Sequence, residues 1–183
     1  MSNSKVVTPY GGDQNEKKNE VASMFNNIAG NYDFLNHFLS MGIDKLWRKK
    51  VVKMVANVHA KNVLDVATGT GDLAIALLKA KPDKITGIDI SVGMLEKGNE
   101  KIKQLKVDNI IELVKGDSEN IQFNDATFDA ITVAFGVRNY QNLDKGLSEM
   151  FRVLKPNSPL IVLEFSKPTN WFFKQVYFFY FCN

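Results

Sequence analysis

Acidic and hydroxyl side chains follow three apolar runs of the sequence, at the points where buried strands would end. Asp65 closes the first run and Asp89 closes the next. Asp117 and Ser118 follow the third run. Because the carboxyl ends of parallel strands meet at one edge of a sheet, we expect these side chains to lie close together. Carboxylates at such an edge can accept hydrogen bonds from ribose hydroxyls or attract a cationic ligand.

A glycine-rich turn follows the first of these runs, in the stretch "VLDVATGTGDLAIALL" (63–78). Gly69, Gly71 and Ala74 fit the pattern G-x-G-x-x-A between a strand and a helix. Glycines there let the backbone turn tightly and approach a ligand closely. With Asp89 at the end of the second strand, placed for the two hydroxyls of a ribose, the pattern predicts an adenosine-containing cofactor.

The acids around this turn discriminate between two such cofactors. Asp65 precedes the glycines and Asp72 follows them. NAD would place a doubly charged pyrophosphate at this helix start, where both carboxylates would repel it. S-adenosylmethionine carries an ammonium and a sulfonium, which the same carboxylates would attract. The residues therefore favour S-adenosylmethionine, with Asp117 and Ser118 placed to bond the adenine amino group.

A cation and an amide follow a fourth apolar run, in "AITVAFGVRNYQN" (130–142). Arg138 and Asn139 begin where a buried strand should meet its loop, beside the crevice where open α/β sheets bind ligands. Our hypothesis is that both side chains belong to the site. The alternative is that Arg138 lies on a solvated turn or caps the next helix.

The alternation of apolar strands and helical stretches predicts the doubly wound α/β class, a Rossmann-like parallel sheet covered on both faces. We expect strands at 62–67, 84–90, 110–116, 128–135 and 159–165, with helices near 71–81, 92–105 and 141–154. Residues 1–19 are expected to form a flexible polar tail and 20–183 a single domain. Within that domain we predict a helical cap (20–58) over the carboxyl edge of the sheet, a core (59–167) and an aromatic C-terminal helix (168–183).

Composition excludes several function classes. The chain of 183 residues has a formal charge of +3 with scattered basic residues, which does not favour nucleic-acid binding. The chain has one cysteine and two histidines, which are too few for the usual Cys and His ligand sets of a metal site. No metal site is therefore predicted. No signal peptide and no membrane-spanning run is found. The single cysteine excludes an internal disulfide, which fits a reducing cytoplasm.

Two further stretches carry a resemblance to a known family. They are "YDFLNHFLSMGIDKLWRK" (32–49) and "RVLKPNSPLIVLEFSKP" (152–168), and "FGVRN" (135–139) lies between them. With these stretches the chain resembles a class I methyltransferase, and more narrowly the ubiquinone/menaquinone biosynthesis C-methyltransferase family. The resemblance covers roughly residues 20–180.

This resemblance implies S-adenosylmethionine-dependent C-methylation of a polyprenylated quinol ring, with 2-demethylmenaquinol or a ubiquinol precursor as acceptor. Carried over by position, Thr68, Asp89, Asp117 and Ser118 fall on cofactor-binding positions. A quinol carbon becomes nucleophilic when its neighbouring hydroxyl loses a proton, so Arg138 is expected to stabilise the resulting anion. Asn139 is expected to position the same oxygen.

Two residues of the predicted cap are further candidates. Tyr32 is expected to close over the cofactor, and His37 to act as a base, although a structural role for a lone histidine is the commoner case. A long prenyl tail implies contact with a membrane surface. Candidates for that contact are the apolar residues of the cap and of the C-terminal stretch, with Lys45, Arg48, Lys49 and Lys50 facing lipid phosphates. The alternative, which we favour for most of these aromatics, is that they pack the cap onto the sheet.

The sequence departs from the family pattern at three places. Asn157 and Ser158 replace a Gly-Gly pair, and Ala134 replaces a serine that contacts the cofactor in many members. The chain also supplies five of the seven strands of the family fold, so we expect a truncated form with the last two strands absent. The fifth strand would then be a long apolar edge that favours association, such as a homodimer.

Other functions stay open on the sequence alone. A methyltransferase acting on another small molecule or lipid would share the same cofactor loop. A non-catalytic module that binds the cofactor and an NAD-dependent reductase are the remaining alternatives.

Overall fold

The computed structural model describes residues 17–30 and 43–164 of the chain. The described helices are α1 (Lys17–Ile28), α2 (Ile43–Asn57), α3 (Asp72–Leu77), α4 (Val92–Leu105) and α5 (Leu143–Val153). The strands are β1 (Asn62–Val66), β2 (Lys84–Asp89), β3 (Ile111–Lys115), β4 (Ala130–Ala134) and β5 (Leu160–Leu163). Short 3-10 turns occupy Leu78–Ala80 and Val137–Asn139. The predicted helix at 168–183 lies outside the described residues.

The five strands form one parallel sheet in the order β3-β2-β1-β4-β5. The strand order reverses between β1 and β4, which creates the crevice where open α/β sheets bind ligands. Each of the predicted strands is present, with ends displaced by at most two residues. The doubly wound parallel sheet is therefore confirmed.

The two faces of the sheet build separate apolar clusters, because alternate residues of each strand point to opposite faces. Val63 of β1 packs with α2, α3 and α4, where Val55 and Leu77 have no exposed surface. Leu64, its neighbour in β1, packs on the other face with Met150 of α5. Burying each side chain of this size stabilises the fold by about 1.5–3 kcal/mol. Helices on both faces thus fix the positions at which the strands end.

The two described helices of the predicted cap lie in different places: α1 lies over the carboxyl edge of the sheet, and most of α2 lies on one of its faces. Helix α1 contacts α4, and its side chains reach the carboxyl ends of the strands. Helix α2 instead packs beside α3 and β5 on one face of the sheet, because Val51 and Val55 belong to that core. Only its first turns reach the carboxyl edge. Helix α1 also begins at Lys17, so the last three residues assigned to the tail are helical.

Strand β5 pairs with β4 and, among the described strands, with no other. Val162 of β5 is 45% exposed. Association through this edge, such as a homodimer, stays a prediction. In the turn before β5, Asn157 has a φ of 63°, the left-handed conformation that glycine and asparagine adopt most readily. Asn157 can therefore stand where the family pattern has glycine.

Within the described ranges, no helix is both long and apolar enough to cross a membrane. The same residues contain no cluster of three or more His, Cys, Asp or Glu side chains arranged to hold a metal ion.

Candidate active site at the carboxyl edge

A cleft of about 660 Å³ opens at the carboxyl edge of the sheet, against α1. Five predicted site residues line it: Gly69, Asp89, Asp117, Ser118 and Asn139. A second pocket of about 400 Å³ adjoins the cleft. The predicted site residues that line it are Asp65, Thr68 and Gly69, and Gly69 also lines the cleft. The two spaces share the lining residues Ala67, Gly69, Ala134 and Phe135. The structure therefore brings most of the predicted cofactor residues into one continuous site.

Asp89 links the glycine turn to the start of α4. Its carboxylate accepts hydrogen bonds from the backbone N–H of Gly69 (2.8 Å) and of Ser91 (2.8 Å). Burial raises the pKa of Asp89, and these backbone donors oppose that rise. A carboxylate has about four acceptor positions, so Asp89 can also accept from the hydroxyls of a bound ribose.

Asp65 lies at the end of β1 with 1% of its surface exposed. Its two oxygens accept hydrogen bonds from the hydroxyls of Thr68 (2.6 Å) and Thr132 (2.7 Å). Burial raises the pKa of Asp65 to about 6, although the two hydroxyls and the charge of Arg48 lower it. Asp65 is thus predominantly ionised at neutral pH, a negative charge at the floor of the second pocket.

The backbone around the site takes the left-handed conformation at several positions. Gly69 has a φ of 58° and Gly71 a φ of 77°, as expected for a glycine turn. Ala67 and Phe135, which are not glycines, also have φ values of 53° and 57°. Non-glycine residues in this conformation are uncommon and concentrate at functional sites. These two follow directly after β1 and β4, between the cleft and the second pocket.

Arg48 of α2 enters the second pocket, which corrects its predicted contact with lipid phosphates. Its side chain is 12% exposed and its Nη1 ion pairs with Asp44 (2.9 Å) and Asp72 (3.1 Å). Lys101 also ion pairs with Asp72, at 2.7 Å. The charge of Asp72 is therefore compensated within the protein, and the electrostatic argument against a pyrophosphate depends chiefly on Asp65.

Lys18 of α1 makes ion pairs across the cleft. This residue was not identified from the sequence. Its Nζ ion pairs with Asp117 (2.7 Å) and Glu119 (3.0 Å). Glu119 is 4% exposed and also accepts the backbone N–H of Gln141 and Asn142. Burial lowers the pKa of Lys18, but its two acidic partners outweigh burial and raise the pKa overall. This one cation thus joins α1 to loops after β3 and β4.

Replacing Lys18 by methionine should destabilise the fold, because it leaves the buried carboxylate of Glu119 without its cation. We expect the free energy of unfolding to fall by about 1–3 kcal/mol, measured by urea denaturation. Lys97→Met is the matched control, since Lys97 makes an exposed ion pair with Glu100. That control should stay within about 0.5 kcal/mol of the wild type. Equal effects of the two substitutions would contradict this role for Lys18.

Tyr140 contributes a buried hydroxyl to the cleft wall. Within the described residues, its oxygen is buried and makes no hydrogen bond of acceptable geometry. Burial raises the pKa of Tyr140, so the phenol stays protonated at neutral pH. A buried hydroxyl at the wall of a cleft can bond a polar atom of a ligand. Among the described residues, Tyr140 is therefore an additional candidate contact that the sequence reasoning missed.

Arg138 lies at the rim of the site, and it is not among the residues that line the cleft. It belongs to the 3-10 turn after β4, and 49% of its side chain is exposed. It ion pairs with Glu164, which follows β5, and its guanidinium lies 5.9 Å from the ring centre of Phe135. Glu164 follows β5 as the other acids follow their strands, but it was not singled out from the sequence, and it lines neither the cleft nor the second pocket. Tyr32 and His37 lie outside the described residues.

The side chains that line the two spaces fit the chemistry of S-adenosylmethionine. The cleft combines apolar walls from Phe25 and Met94 with the polar atoms of Asp89 and Asp117, as an adenosine group requires. The second pocket places negative and positive side chains together, which suits an amino acid with both an ammonium and a carboxylate. A pyrophosphate in that pocket would meet the buried charge of Asp65.

Comparison with known proteins assigns the chain to a family. Residues 13–183 match the model of the ubiE/COQ5 methyltransferase family. The chain belongs to this family. The resemblance inferred from the sequence is thereby confirmed, and the ubiE/COQ5 family accounts for the S-adenosylmethionine-dependent methyltransferase fold of the chain.

Two curated relatives illustrate the match to the ubiE/COQ5 family. The demethylmenaquinone methyltransferase of Porphyromonas gingivalis is 46% identical over 183 residues, which cover 98% of this chain and 74% of that protein. The ubiquinone/menaquinone biosynthesis C-methyltransferase UbiE of Geobacter sulfurreducens is 44% identical over 168 residues, covering 91% of this chain and 66% of that protein. The chain thus spans about two thirds to three quarters of their lengths.

A solved structure supports the fold independently. The SAM dependent methyltransferase from Aquifex aeolicus superimposes with a TM-score of 0.58 at 29% identity, covering 68% of this chain and 66% of that one. The Rossmann-like class I methyltransferase sheet predicted from the sequence is therefore confirmed.

Proposed function

We propose that this chain transfers a methyl group from S-adenosylmethionine to a ring carbon of a polyprenylated quinol, converting 2-demethylmenaquinol to menaquinol. The observation that carries the proposal is the 46% identity, over almost the whole chain, to a demethylmenaquinone methyltransferase. The strand-end acids and the glycine turn around one cleft support the same activity.

The proposed cofactor contacts divide between the two spaces of the site. In the cleft, Asp89 would hold the ribose hydroxyls, while Asp117 and Ser118 would hold the adenine. In the second pocket, Asp65, with Thr68 and the glycine turn at Gly69 and Gly71, would hold the methionyl group. When bound, the cofactor supplies an electrophilic methyl group on its sulfonium. The chain's own contribution is to hold the acceptor ring in line with that group, which can lower a barrier by about 7–11 kcal/mol in the best cases.

The acceptor carbon needs electron density from a neighbouring oxyanion, and Arg138 is the proposed group that stabilises it. Its guanidinium is always charged and carries donors in a fixed fork that matches an oxyanion. Glu164 and the ring of Phe135 hold that guanidinium at the carboxyl edge of the sheet, with half of its surface accessible. Asn139 lines the cleft beside it and is the proposed positioning residue for the quinol oxygen. Tyr32 and His37 stay candidates for closing the site and for proton transfer.

Methyl transfer to a short-chain demethylmenaquinol tests the proposed function. Incubation with S-adenosylmethionine should yield S-adenosylhomocysteine and menaquinol in equal amounts, measured by liquid chromatography and mass spectrometry. A phenolic small molecule and a ubiquinol precursor serve as alternative acceptors in parallel. Faster transfer to the phenolic compound would favour a methyltransferase of another small molecule. Binding of S-adenosylhomocysteine without transfer to any acceptor would favour a cofactor-binding module, and binding of NADH instead would favour a reductase.

We further propose that the outer face of α2 brings the enzyme to an anionic membrane surface, where a prenylated quinol resides. Ile43, Leu46 and Met54 are 40%, 56% and 51% exposed on this helix. Four lysines are exposed beside them: Lys45, Lys49, Lys50 and Lys53. The one acid of the helix, Asp44, is 2% exposed, so the exposed side carries positive charge without compensation from its own helix. Exposed apolar side chains among lysines are typical of helices that lie on anionic lipid surfaces.

Reversing two of these charges should release the protein from anionic vesicles. We expect the double variant Lys49→Glu/Lys53→Glu to bind vesicles of phosphatidylglycerol at least roughly tenfold more weakly, because each lysine near the surface contributes about 1 kcal/mol. The control is Lys97→Glu/Lys103→Glu, two exposed lysines of α4. Sedimentation with vesicles measures both, and phosphatidylcholine vesicles show the charge dependence. An equal loss for both double variants would contradict a specific role for α2.

A further inference from the structure

Arg48 occupies an unusual position for an arginine of an otherwise lysine-rich helix. It lies near the start of α2, 12% exposed, where the helix meets the glycine turn. It lines the second pocket with Asp65, Thr68 and Thr70. Among the described residues that line this pocket, Arg48 is the one cation. Within this lining, Arg48 is therefore the charged partner available to a carboxylate that enters the pocket.

Its two ion pairs leave the guanidinium oriented and able to serve another acceptor. Both pairs, to Asp44 and to Asp72, are made by Nη1. Asp44 is 2% exposed and belongs to the same helix, so it fixes the side chain of Arg48 from behind. Asp72 also ion pairs with Lys101, so the negative charge of Asp72 is shared between two cations. A guanidinium has five N–H donors, so two carboxylate partners do not exhaust it.

The two spaces of the site are adjacent, so a cofactor in the cleft can reach Arg48. The second pocket adjoins the cleft through the shared residues Ala67, Gly69, Ala134 and Phe135. A ligand whose adenosine lies in the cleft would extend past these residues into the second pocket. There the negative charge of Asp65 and the positive charge of Arg48 offer opposite partners for an amino acid group.

We propose that Arg48 binds the carboxylate of the methionyl group of the cofactor, and so distinguishes it from analogues that lack this carboxylate. The inference rests on the proposed function, since it requires that S-adenosylmethionine is the ligand. It assigns to α2 a binding role, through Arg48, in addition to its packing on the sheet.

Calorimetric titration with three ligands tests the proposal without any turnover. S-adenosylhomocysteine carries the carboxylate, decarboxylated S-adenosylmethionine lacks it and keeps an amino group, and methylthioadenosine lacks both. In Arg48→Met, the affinity for S-adenosylhomocysteine should fall roughly 10- to 100-fold, the effect of losing a charge-assisted hydrogen bond. The affinities of the other two ligands should change less than about twofold, which also shows that the cleft is folded.

Two further variants keep the test decisive. Arg48→Lys retains the charge without the planar fork, so it should weaken S-adenosylhomocysteine selectively but less than methionine does. Lys101→Met is the matched control, because Lys101 also pairs with Asp72 but does not line the pocket. It should leave all three affinities within about threefold.

The proposal is overturned if Arg48→Met weakens all three ligands equally, or none of them. Equal weakening would mean that Arg48 only maintains the fold. If the wild-type chain binds neither S-adenosylhomocysteine nor methylthioadenosine, the proposed function fails and the inference fails with it. That outcome is distinguishable, because it appears in the wild type before any substitution.

Discussion

Replacing Asp89 by alanine is expected to weaken binding of S-adenosylhomocysteine by more than about 100-fold, measured by calorimetric titration. The reason is that Asp89 has two tasks. It is the proposed acceptor for the ribose hydroxyls, and it holds the backbone N–H groups of Gly69 and Ser91. Removal of the carboxylate leaves these amides without their acceptor, at about 1–3 kcal/mol for each, so the glycine turn loses its arrangement as well.

Two comparisons separate these contributions. Asp89→Asn keeps one acceptor oxygen and should fall between alanine and the wild type. Asp83→Ala is the control, since Asp83 makes an exposed ion pair with Lys61. It should bind the cofactor normally and unfold within about 0.5 kcal/mol of the wild type. If Asp89→Ala retained the wild-type affinity, Asp89 would have no part in the cofactor site.

Replacing Arg138 by alanine is expected to lower kcat roughly 100-fold while the affinity for S-adenosylhomocysteine changes less than about twofold. Removing one preorganised donor from a developing oxyanion has an effect of this order. Arg138 is outside the lining of the cleft, so the cofactor should bind as before. Arg138→Lys should recover part of the rate, because it keeps the charge but loses the fork.

The kinetic parameters give the readout that a structural role would not produce. Steady-state methyl transfer to a short-chain demethylmenaquinol would show the loss in kcat, and the apparent KM for the cofactor should stay constant. Lys61→Ala, which removes an exposed ion pair remote from the site, should leave both parameters unchanged. Wild-type turnover by Arg138→Ala would refute the proposed role.

The sheet was predictable from the sequence because its signals are local. The inner strands β1, β2 and β4 are short apolar runs that are buried on both faces, whereas β3 and β5 at the sheet edges keep exposed positions. Each strand pattern is bounded by a turn or a helical pattern. Residues 92–105 were predicted as a helix and form α4 with the same bounds. Ser91 caps that helix by accepting the N–H of Met94, a preference that the sequence alone makes visible. Local patterns of this kind determine the elements and their order.

The strand-end residues were predictable for a topological reason. Once the strands are taken as parallel, Asp65, Asp89 and Asp117 must lie at the same edge, whatever their separation in the sequence. The structure places them along the cleft and its adjoining pocket. Their contact with the cofactor stays a prediction, which titration of the Asp89 variants checks.

The ion-pair partners were not predictable, because they come from elements distant in the sequence. Lys18 and Asp117 are 99 residues apart. Arg48 was expected to face lipid phosphates because a prenylated substrate implies contact with a membrane, and Arg48 lies among lysines in "KLWRKK" (45–50). Its burial depends on how α2 packs against α3, which brings Asp72 to it. Periodicity predicts that a helix exists but not which distant carboxylate its cation will contact.

The atom that receives the methyl group separates C-methylation of a quinol from every alternative function. The chain would be incubated with S-adenosylmethionine labelled with ¹³C in its methyl group and with reduced short-chain demethylmenaquinone, and the product examined by ¹³C NMR. We expect the label to appear as a methyl group on the ring carbon, with the chemical shift of an aromatic C-methyl. A label found on oxygen, or bound S-adenosylmethionine that never labels the quinol, would contradict the proposed C-methylation.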